Sequence, residues 1–476
     1  MSARIGTSMN VGQRAMMNSQ AALQTVSHNI ANKNTEGYSR QQVETFSNFP
    51  NGAGKMRVGT GARAVTVQRV NNPYLEKQLA GEKSQLGFLN GQNVALMRLE
   101  QVYNEQQVDG LNSSIGKFFN SFRELSTNPE SMPKRIAVKE SADLLVRDFN
   151  RVGEQLADIR KEANGQAQVQ VNEINSVTQE IASLNMQVQK VEIGGGFAND
   201  ERDRRDALLK NLGELIDIKW AEGKDSTVTI STADDAILVV GNEARKLEAV
   251  STPGRENKAE GDFDIMYYHN EYAEPMVLTD RIRGGKLGGL LSVRDGDVTE
   301  FERKIDMLSF EIANRVNDLH RQGHNAYNQR GEDFFSHVGG QDGASGTIKI
   351  NPTILGDVGR IVAGADPNSP GDNRIANMIS DVQHSKSMLD GATSIDEYYN
   401  GMVAELGLRT QNINGMVATQ EGVVNQLENL RESYSGVNID EEIASMIEWQ
   451  KQFDASARII RTADEMLDTV INIRRY

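Results

Sequence analysis

The chain has 476 residues, 51 of them basic and 66 acidic, for a net charge of −15, and it contains no cysteine. That balance argues against nucleic acid or anionic membrane surfaces as partners, and the missing thiols exclude disulfides, zinc–thiolate sites and cysteine nucleophiles. Apolar residues make up 38% and aromatics 6%, lean for a globular enzyme but suited to long helices with polar outer faces.

The opening segment lacks the apolar core of a cleaved export signal. No window approaches the roughly 18 apolar residues of a membrane span, so no membrane insertion is expected. Ile5, Met9, Gly12, Met16, Ser19, Leu23, Val26 and Ile30 recur in steps of four and three. This is heptad spacing, with Gly12 and Ser19 as interruptions. The stripe dissolves into Asn32, Asn34, Thr35 and Gly37, residues that favour turns. Two further stripes run from Val138 to Ile159 and from Ile174 to Val191, the second stopped by Gly194–Gly196. "GGGFANDERDRRD" has no Gly-Lys-Ser/Thr, which excludes a phosphate loop. It reads as a capped helix start, with Asn199 or Asp200 near the N-cap.

From about Lys219 to Asp280, "STVTIST", "AILVVG", "FDIMYY" and "PMVLT" alternate with turn residues. This predicts a β-rich insert, entered by the helix "RRDALLKNLGELI" and left through "RGGKLGGL". "DGDVTEFE" beside Asp295 lacks the calcium-loop pattern and reads as a helix N-terminus, followed by a stripe from Val298 to Leu319. His320 and His324 have the spacing of paired metal ligands. Gly323 between them and the absence of a following Glu reduce them to polar residues at a helix end. "TIKI", within Gly339–Pro352, predicts one strand. Stripes from Met402 to Tyr434 and from Ile443 to Ile471 close the chain, with Glu441 and Glu442 read as a solvated face.

The pattern predicts a mainly α, elongated multidomain subunit with a β-rich insert. Residues 1–44 with 436–476 form a terminal coiled coil, 45–190 with 285–435 a helical-bundle middle domain, and 191–284 an outward β domain. Residues 1–40 carry four basic groups and one acid (+3), and residues 436–476 five basic groups and eight acids (−3). Each end is too weak a helix to stand alone, and opposite charge favours pairing the two. Met16, Leu23, Val26 and Ile30 then face Phe453, Ile460, Leu467 and Ile471 in the expected assembly interface. No Gly-x-Ser-x-Gly, thiol or clustered ligand set occurs, so no catalytic residue, cofactor or metal is expected.

"ALQTVSHNIANKNTEGYSRQ" resembles the N-terminal signature of the bacterial flagellar axial proteins, the rod, hook and hook-associated subunits. Its elements stand at Ala22, Leu23, Ser27, Asn29, Ile30, Ala31, Asn32, Asn34, Thr35, Gly37 and Tyr38, with Glu36 replacing the Pro that often precedes this glycine. Ser39, Arg40 and Gln41, "ANDERDRRDALLKNLGELIDI", "GGKLGGLLSVRD" and "TADEMLDTVINI" are similar to the hook-associated branch. The resemblance implies a non-enzymatic adaptor joining hook to filament, exported unfolded through the flagellar type III apparatus to the cell exterior. It implies a homo-oligomeric ring, hook subunits on one side and further hook-associated or filament subunits on the other, with the filament cap and an export chaperone as transient partners. It also implies loosely held chain ends before assembly and a hinge at Asn32 to Gly37. The alternatives are a hook or distal-rod subunit, whose outer domains are mostly β, and a filament-associated hydrolase, against which the insert's single His269 speaks.

Overall fold

A computed structural model of the protein describes residues 2–49, 59–103, 110–233, 235–252, 261–270, 274–336, 339–389 and 391–473. The chain opens with α1 (Ser2–Ala31) and a hairpin of β1 (Gln41–Ser47) and β2 (Ala62–Arg69). Four helices follow: α2 (Pro73–Tyr103), α3 (Leu111–Thr127), α4 (Met132–Ile193) and α5 (Asn199–Leu215). One antiparallel sheet holds β3 (Lys219–Glu222), β4 (Val228–Thr232), β5 (Ala236–Val240) and β6 (Glu243–Ala244). A second holds β7 (Leu247–Ser251), β8 (Phe263–Tyr267) and β9 (Met276–Val277). The return leg is α6 (Gly285–Ser292), a π-helical segment (Val293–Val298) and α7 (Thr299–His320). Three short helices, α8 (Ala344–Thr347), α9 (Pro352–Gly356) and α10 (Arg374–Asp381), precede α11 (Ile395–Ser435) and α12 (Ile439–Ile473). The fold is mainly α with a β-rich insert, as the periodicity predicts.

The two stripes read between Val138 and Val191 belong to one 62-residue helix, α4, roughly 90 Å long. Its apolar face carries the core. Phe118 and Phe122 of α3 meet Phe334 and Phe335 there, and Phe119 packs on Phe118, with ring centroids 4.9–5.8 Å apart in edge and tilted contacts. The same helix holds the insert by side-chain amides. Asn185 donates to the Val228 and Gly241 carbonyls, and Asn175 exchanges two bonds with the Leu247 backbone. These asparagines satisfy strand backbone groups that burial would otherwise leave bare.

α2 runs antiparallel to α11, joined by Gln420 to Glu82, Lys83 to Glu428 and Arg431 to Glu76. On another face it crosses α6 at backbone distance. A Cβ at Gly87 would lie 2.1 Å from the Glu214 oxygen, at Gly91 2.4 Å from the Lys286 oxygen, and at Gly289 2.0 Å from the Phe88 oxygen. Only glycine fits those three positions.

Several expectations fail locally. "TIKI" is no strand, because Ala344–Thr347 closes a helical turn and only Ile350 bridges to Phe335. "DGDVTEFE" does not begin a helix, because the π segment carries α6 straight into α7 and turns Arg294 inward against Asn164 and the Phe263 carbonyl. α5 does start where expected, with Asn199 as its first residue, although its N-cap, Ala198, makes no side-chain bond. The β1–β2 hairpin and helices α2 and α3 have no counterpart among the stripes. His320 does end α7, but in the core. It is fully buried, its Nδ1 donates to the Glu332 carbonyl, and its Nε2 accepts from the Val362 N–H.

Candidate assembly site at the paired chain ends

α1 and α12 lie against each other along much of their length. A Cβ on Gly12 would sit 2.9 Å from Ile460 Cγ1 and 3.4 Å from the Ser456 oxygen. Ser19 and Ala22 on α1 and Ser456 and Ala463 on α12 are buried in the same seam. Both hydroxyls return to carbonyls four residues back, Ser19 to Ala15 and Ser456 to Gln452, so their burial leaves no polar atom bare. Small residues set the approach here, and Gly12 and Ser19, read as interruptions from sequence, are the contact itself.

Among the residues expected to pair, Val26 is buried and Met16, Leu23, Ile30, Phe453, Ile460 and Leu467 are partly covered by the seam. Ile471, near the open end of the pair, remains 58% exposed. Met17, Ile443, Ile447 and Met466 also stay exposed on the outside of the two helices.

The signature sits at the other end of the pair and is built around Asn29. Its amide oxygen accepts from the Tyr38 hydroxyl at 2.8 Å and the Gln41 N–H at 3.0 Å. Its amide nitrogen donates to the Gln41 carbonyl at 2.9 Å and to Glu442 Oε2 at 3.1 Å. One buried side chain therefore ties α1, the following turn, β1 and α12. Glu442 is buried in this contact, which corrects its reading as a solvated residue; Glu441 beside it is exposed and pairs with Arg40 at 3.1 Å. Burial, followed by the charges of Asp200, Asp203 and Glu442, pushes the Tyr38 hydroxyl far above its ordinary pKa. It remains a donor at any physiological pH.

The rest of the signature fastens this joint to the body. The Ser39 N–H donates to Asp203, whose carboxylate also meets Arg69 at 2.8 Å, and Arg69 reaches Asp206 at 2.7 Å. Gln41 Nε2 donates to Asp200 at 2.7 Å, and His28 approaches the same oxygen at 3.3 Å. The Arg40 N–H donates to the Ser435 carbonyl at 2.8 Å. Arg431 of α11 is buried, gives 2.8 and 3.3 Å bonds to the Gly37 and Tyr38 carbonyls, and pairs with Glu76 at 2.9 Å. Burial opposes ionisation of Glu76, but Lys210 and Arg431 outweigh it and hold the carboxyl below its ordinary value.

Asn32 to Gly37 turn the chain out of α1, with Gly37 at φ +80°. Ser27 and Ala31 are exposed, and the Asn32 side chain donates back to the His28 carbonyl. Sequence reasoning missed Glu76, Arg69, Asp203, Asp206, Lys210 and Arg431. Asp200, Asp203 and Asp206 recur every third residue on one side of α5, which was a readable signal. What they face was not readable.

Among the described residues, no group of three or more His, Asp or Glu side chains could hold a metal, and no helix is long and apolar enough to cross a membrane. The joint gathers buried amides and ion pairs, which fix chain geometry and offer no nucleophile. Profiles of the rod-type flagellar proteins fit both ends. "Flagella basal body rod protein" matches residues 9–38 and "Flagellar basal body rod FlgEFG protein C-terminal" matches residues 431–473. The class is thus that of flagellar axial structural proteins.

A third profile, "Flagellar hook-associated protein FlgK helical domain", matches residues 96–335, half of the chain. The protein belongs to the FlgK family of flagellar hook-associated proteins, and it is a structural component rather than an enzyme. It is 29% identical to flagellar hook-associated protein 1 of Bacillus subtilis over 98% of this chain and 97% of that one. It is 25% identical to the protein of that name from Escherichia coli, over 96% and 97%. The flagellar hook junction protein FlgK of Burkholderia pseudomallei shares the fold, with a TM-score of 0.66 at 16% identity, over 75% of this chain and all of that one.

Proposed function

We propose that this protein forms the adaptor ring that joins hook to filament. The observation that supports this most directly is the meeting of both chain ends in one helix pair, fixed at Asn29 and still exposing Met17, Ile443, Ile447 and Met466. Exposed apolar residues along a fixed rod suit burial against neighbouring subunits. In this reading residues 1–44 with 436–476 form the inner tube, 45–190 with 285–435 the middle domain, and 191–284 the outer domain. Met16, Leu23, Val26, Ile30, Phe453, Ile460, Leu467 and Ile471 hold the inner pair together. Hook subunits contact one side of the ring and the next hook-associated or filament subunits the other. The subunit passes the type III export apparatus with a chaperone, meets the filament cap at the tip, and acts outside the cell.

The test is electron microscopy of flagella from a strain lacking the gene, with and without the gene restored. Intact hooks without filaments, repaired on restoration, are expected. Loss of the hooks as well would replace this reading with that of a hook or distal-rod subunit.

A further inference from the structure

We propose that the outward side of α11 is a contact between parallel copies of this chain, the apolar ridge of one helix seated in the glycine groove of the next. The inference rests on the assembling-subunit reading above and names one of its contacts. Along α11 the sequence repeats a doublet, a small or uncharged residue followed by an apolar one. The doublets are Gly407-Leu408, Gly415-Met416, Gly422-Val423 and Asn429-Leu430, in steps of eight, seven and seven. Consecutive helix residues point about 100° apart, so the second members line up as a ridge and the first members as a groove beside it. A third line, Thr410, Val417, Val424 and Arg431, is buried in the subunit.

The ridge residues Leu408, Met416, Val423 and Leu430 are 37–57% exposed. A Cβ on Gly407, Gly415 or Gly422 would meet nothing within 4 Å. Glycine weakens a helix interior, and nothing within the subunit requires it at these three places. Gly87, Gly91 and Gly289 let backbones approach inside the subunit; the α11 glycines offer the same approach to a helix from outside. No segment of the same chain can cover this face. The described helices are placed elsewhere, and the remaining stretches of chain are each nine residues or fewer, too short to follow a line from Gly407 to Leu430.

A stripe that repeats every seven residues is matched along its length by another helix running beside it. The phase of the doublets identifies that helix. Ridge and groove stand at the same heights, so a parallel copy of α11 brings Met416 to the groove at Gly415 of its neighbour and Val423 to Gly422. An antiparallel copy would set ridge on ridge and groove on groove. Charge agrees with a copy. Subunits of net charge −15 repel one another, yet from Thr410 to Leu430 the only charged residues are Glu421 and Glu428. Both stand beside the buried line, and Glu428 is paired with Lys83 of α2. The line is roughly 35 Å long and 10 Å wide, so two copies would bury about 700 Å² in all, well under the roughly 1,200 Å² of a stable pair. The contact therefore forms where assembly already holds copies side by side and parallel, and not between free subunits. Ridge and groove are unlike patches, which makes the contact head-to-tail and able to run on from subunit to subunit.

The absence of cysteine makes the test clean. A strain lacking the native gene is given two full-length alleles, Met416→Cys and Gly415→Cys, and its assembled flagella are oxidised. The two alleles together should give a disulfide-linked dimer, while either allele alone gives none. A second arm fills the groove. Gly422→Leu should melt no lower than the native protein and still be secreted, yet lose filaments, and adding Val423→Gly to the same chain should restore them. Flagellated cells without the linked dimer, or filaments in Gly422→Leu, overturn the contact while leaving the junction reading intact. So does a lowered melting temperature of Gly422→Leu, which would give the face to the subunit's own fold. Loss of filaments that Val423→Gly does not repair would mean that a different protein covers the face. Failure of the native gene to restore filaments would overturn the junction reading itself.

Discussion

Asn29 uses every hydrogen-bonding position of its amide, two donors and two acceptors, on partners from three segments. No other side chain of that size carries both functions in one plane. Asn29→Ala should therefore cost about 2–4 kcal/mol, since the buried Glu442 carboxylate and the Tyr38 hydroxyl lose partners together; denaturant unfolding checks it. Asn29→Asp keeps the shape but sets a second carboxylate 3 Å-scale close to Glu442, where Nδ2 now lies 3.1 Å away. Its folded-state carboxyl pKa rises, so its penalty should grow as pH rises and ease in acid, opposite to a simple loss of packing. His320 titrates in the other sense. Burial pushes its pKa down from 6.5 to about 4, so above pH 6.5 neither state is charged and its stability contribution is fully present. As the medium acidifies, the unfolded chain takes the proton first. Stability should fall between those two values by roughly 3 kcal/mol. Unfolding midpoints of native protein and His320→Gln across this window test it; parallel curves would exclude His320 as the source.

At the scale of elements, glycine has opposite meanings at different places. Gly91 in α2 faces the Lys286 carbonyl, and a methyl there has nowhere to go. Gly91→Ala should destabilise by about 1–3 kcal/mol, outweighing the helix-propensity gain of about 1 kcal/mol. Gly165 in α4 has open space where a Cβ would stand, so Gly165→Ala should stabilise by about 0.5–1 kcal/mol. Thermal unfolding of the pair reads both signs at once. The same contrast explains what was legible in the sequence. α4, α7, α11 and α12 announce themselves because large apolar residues recur on one face. α2 does not, because Gly87 and Gly91 occupy its crossing face with α6 and break the stripe. The hairpin was silent because β1 buries only Gln41, leaving no alternation to read. The signature was readable through family resemblance, but its partners Arg431 and Glu442 lie about 400 positions away in the chain, 393 from Tyr38 and 413 from Asn29. No spacing rule reaches that far.

For the whole molecule, the distribution of fastenings predicts how the free subunit opens. The core of α3, α4 and α7 is sealed by fully buried rings and long apolar faces. The terminal pair is fastened differently: dense hydrogen bonding at Asn29, Tyr38, Arg40 and Glu442, then a seam of small residues, and exposed Ile471 toward the open end. Small residues allow close approach but remove little apolar area from water, and area sets the strength of burial. A helix fixed at one end and weakly covered along its length frays from the other. Hydrogen exchange of the monomer should therefore show protection rising along α1 from Ser2 to Asn29 and falling along α12 from Glu442 to Ile473, with α3 and α4 slowest of all. Leu23→Asp, which sets a charge at the partly covered seam, should speed exchange in both terminal helices while leaving α3 and α4 unchanged. In Asn29→Ala the gradient should flatten at its protected end, because the fastening and not the seam creates it. Uniform protection along α1 and α12, or slowing equal to that of α3, would mean that the seam itself holds the ends and that the joint at Asn29 merely decorates it.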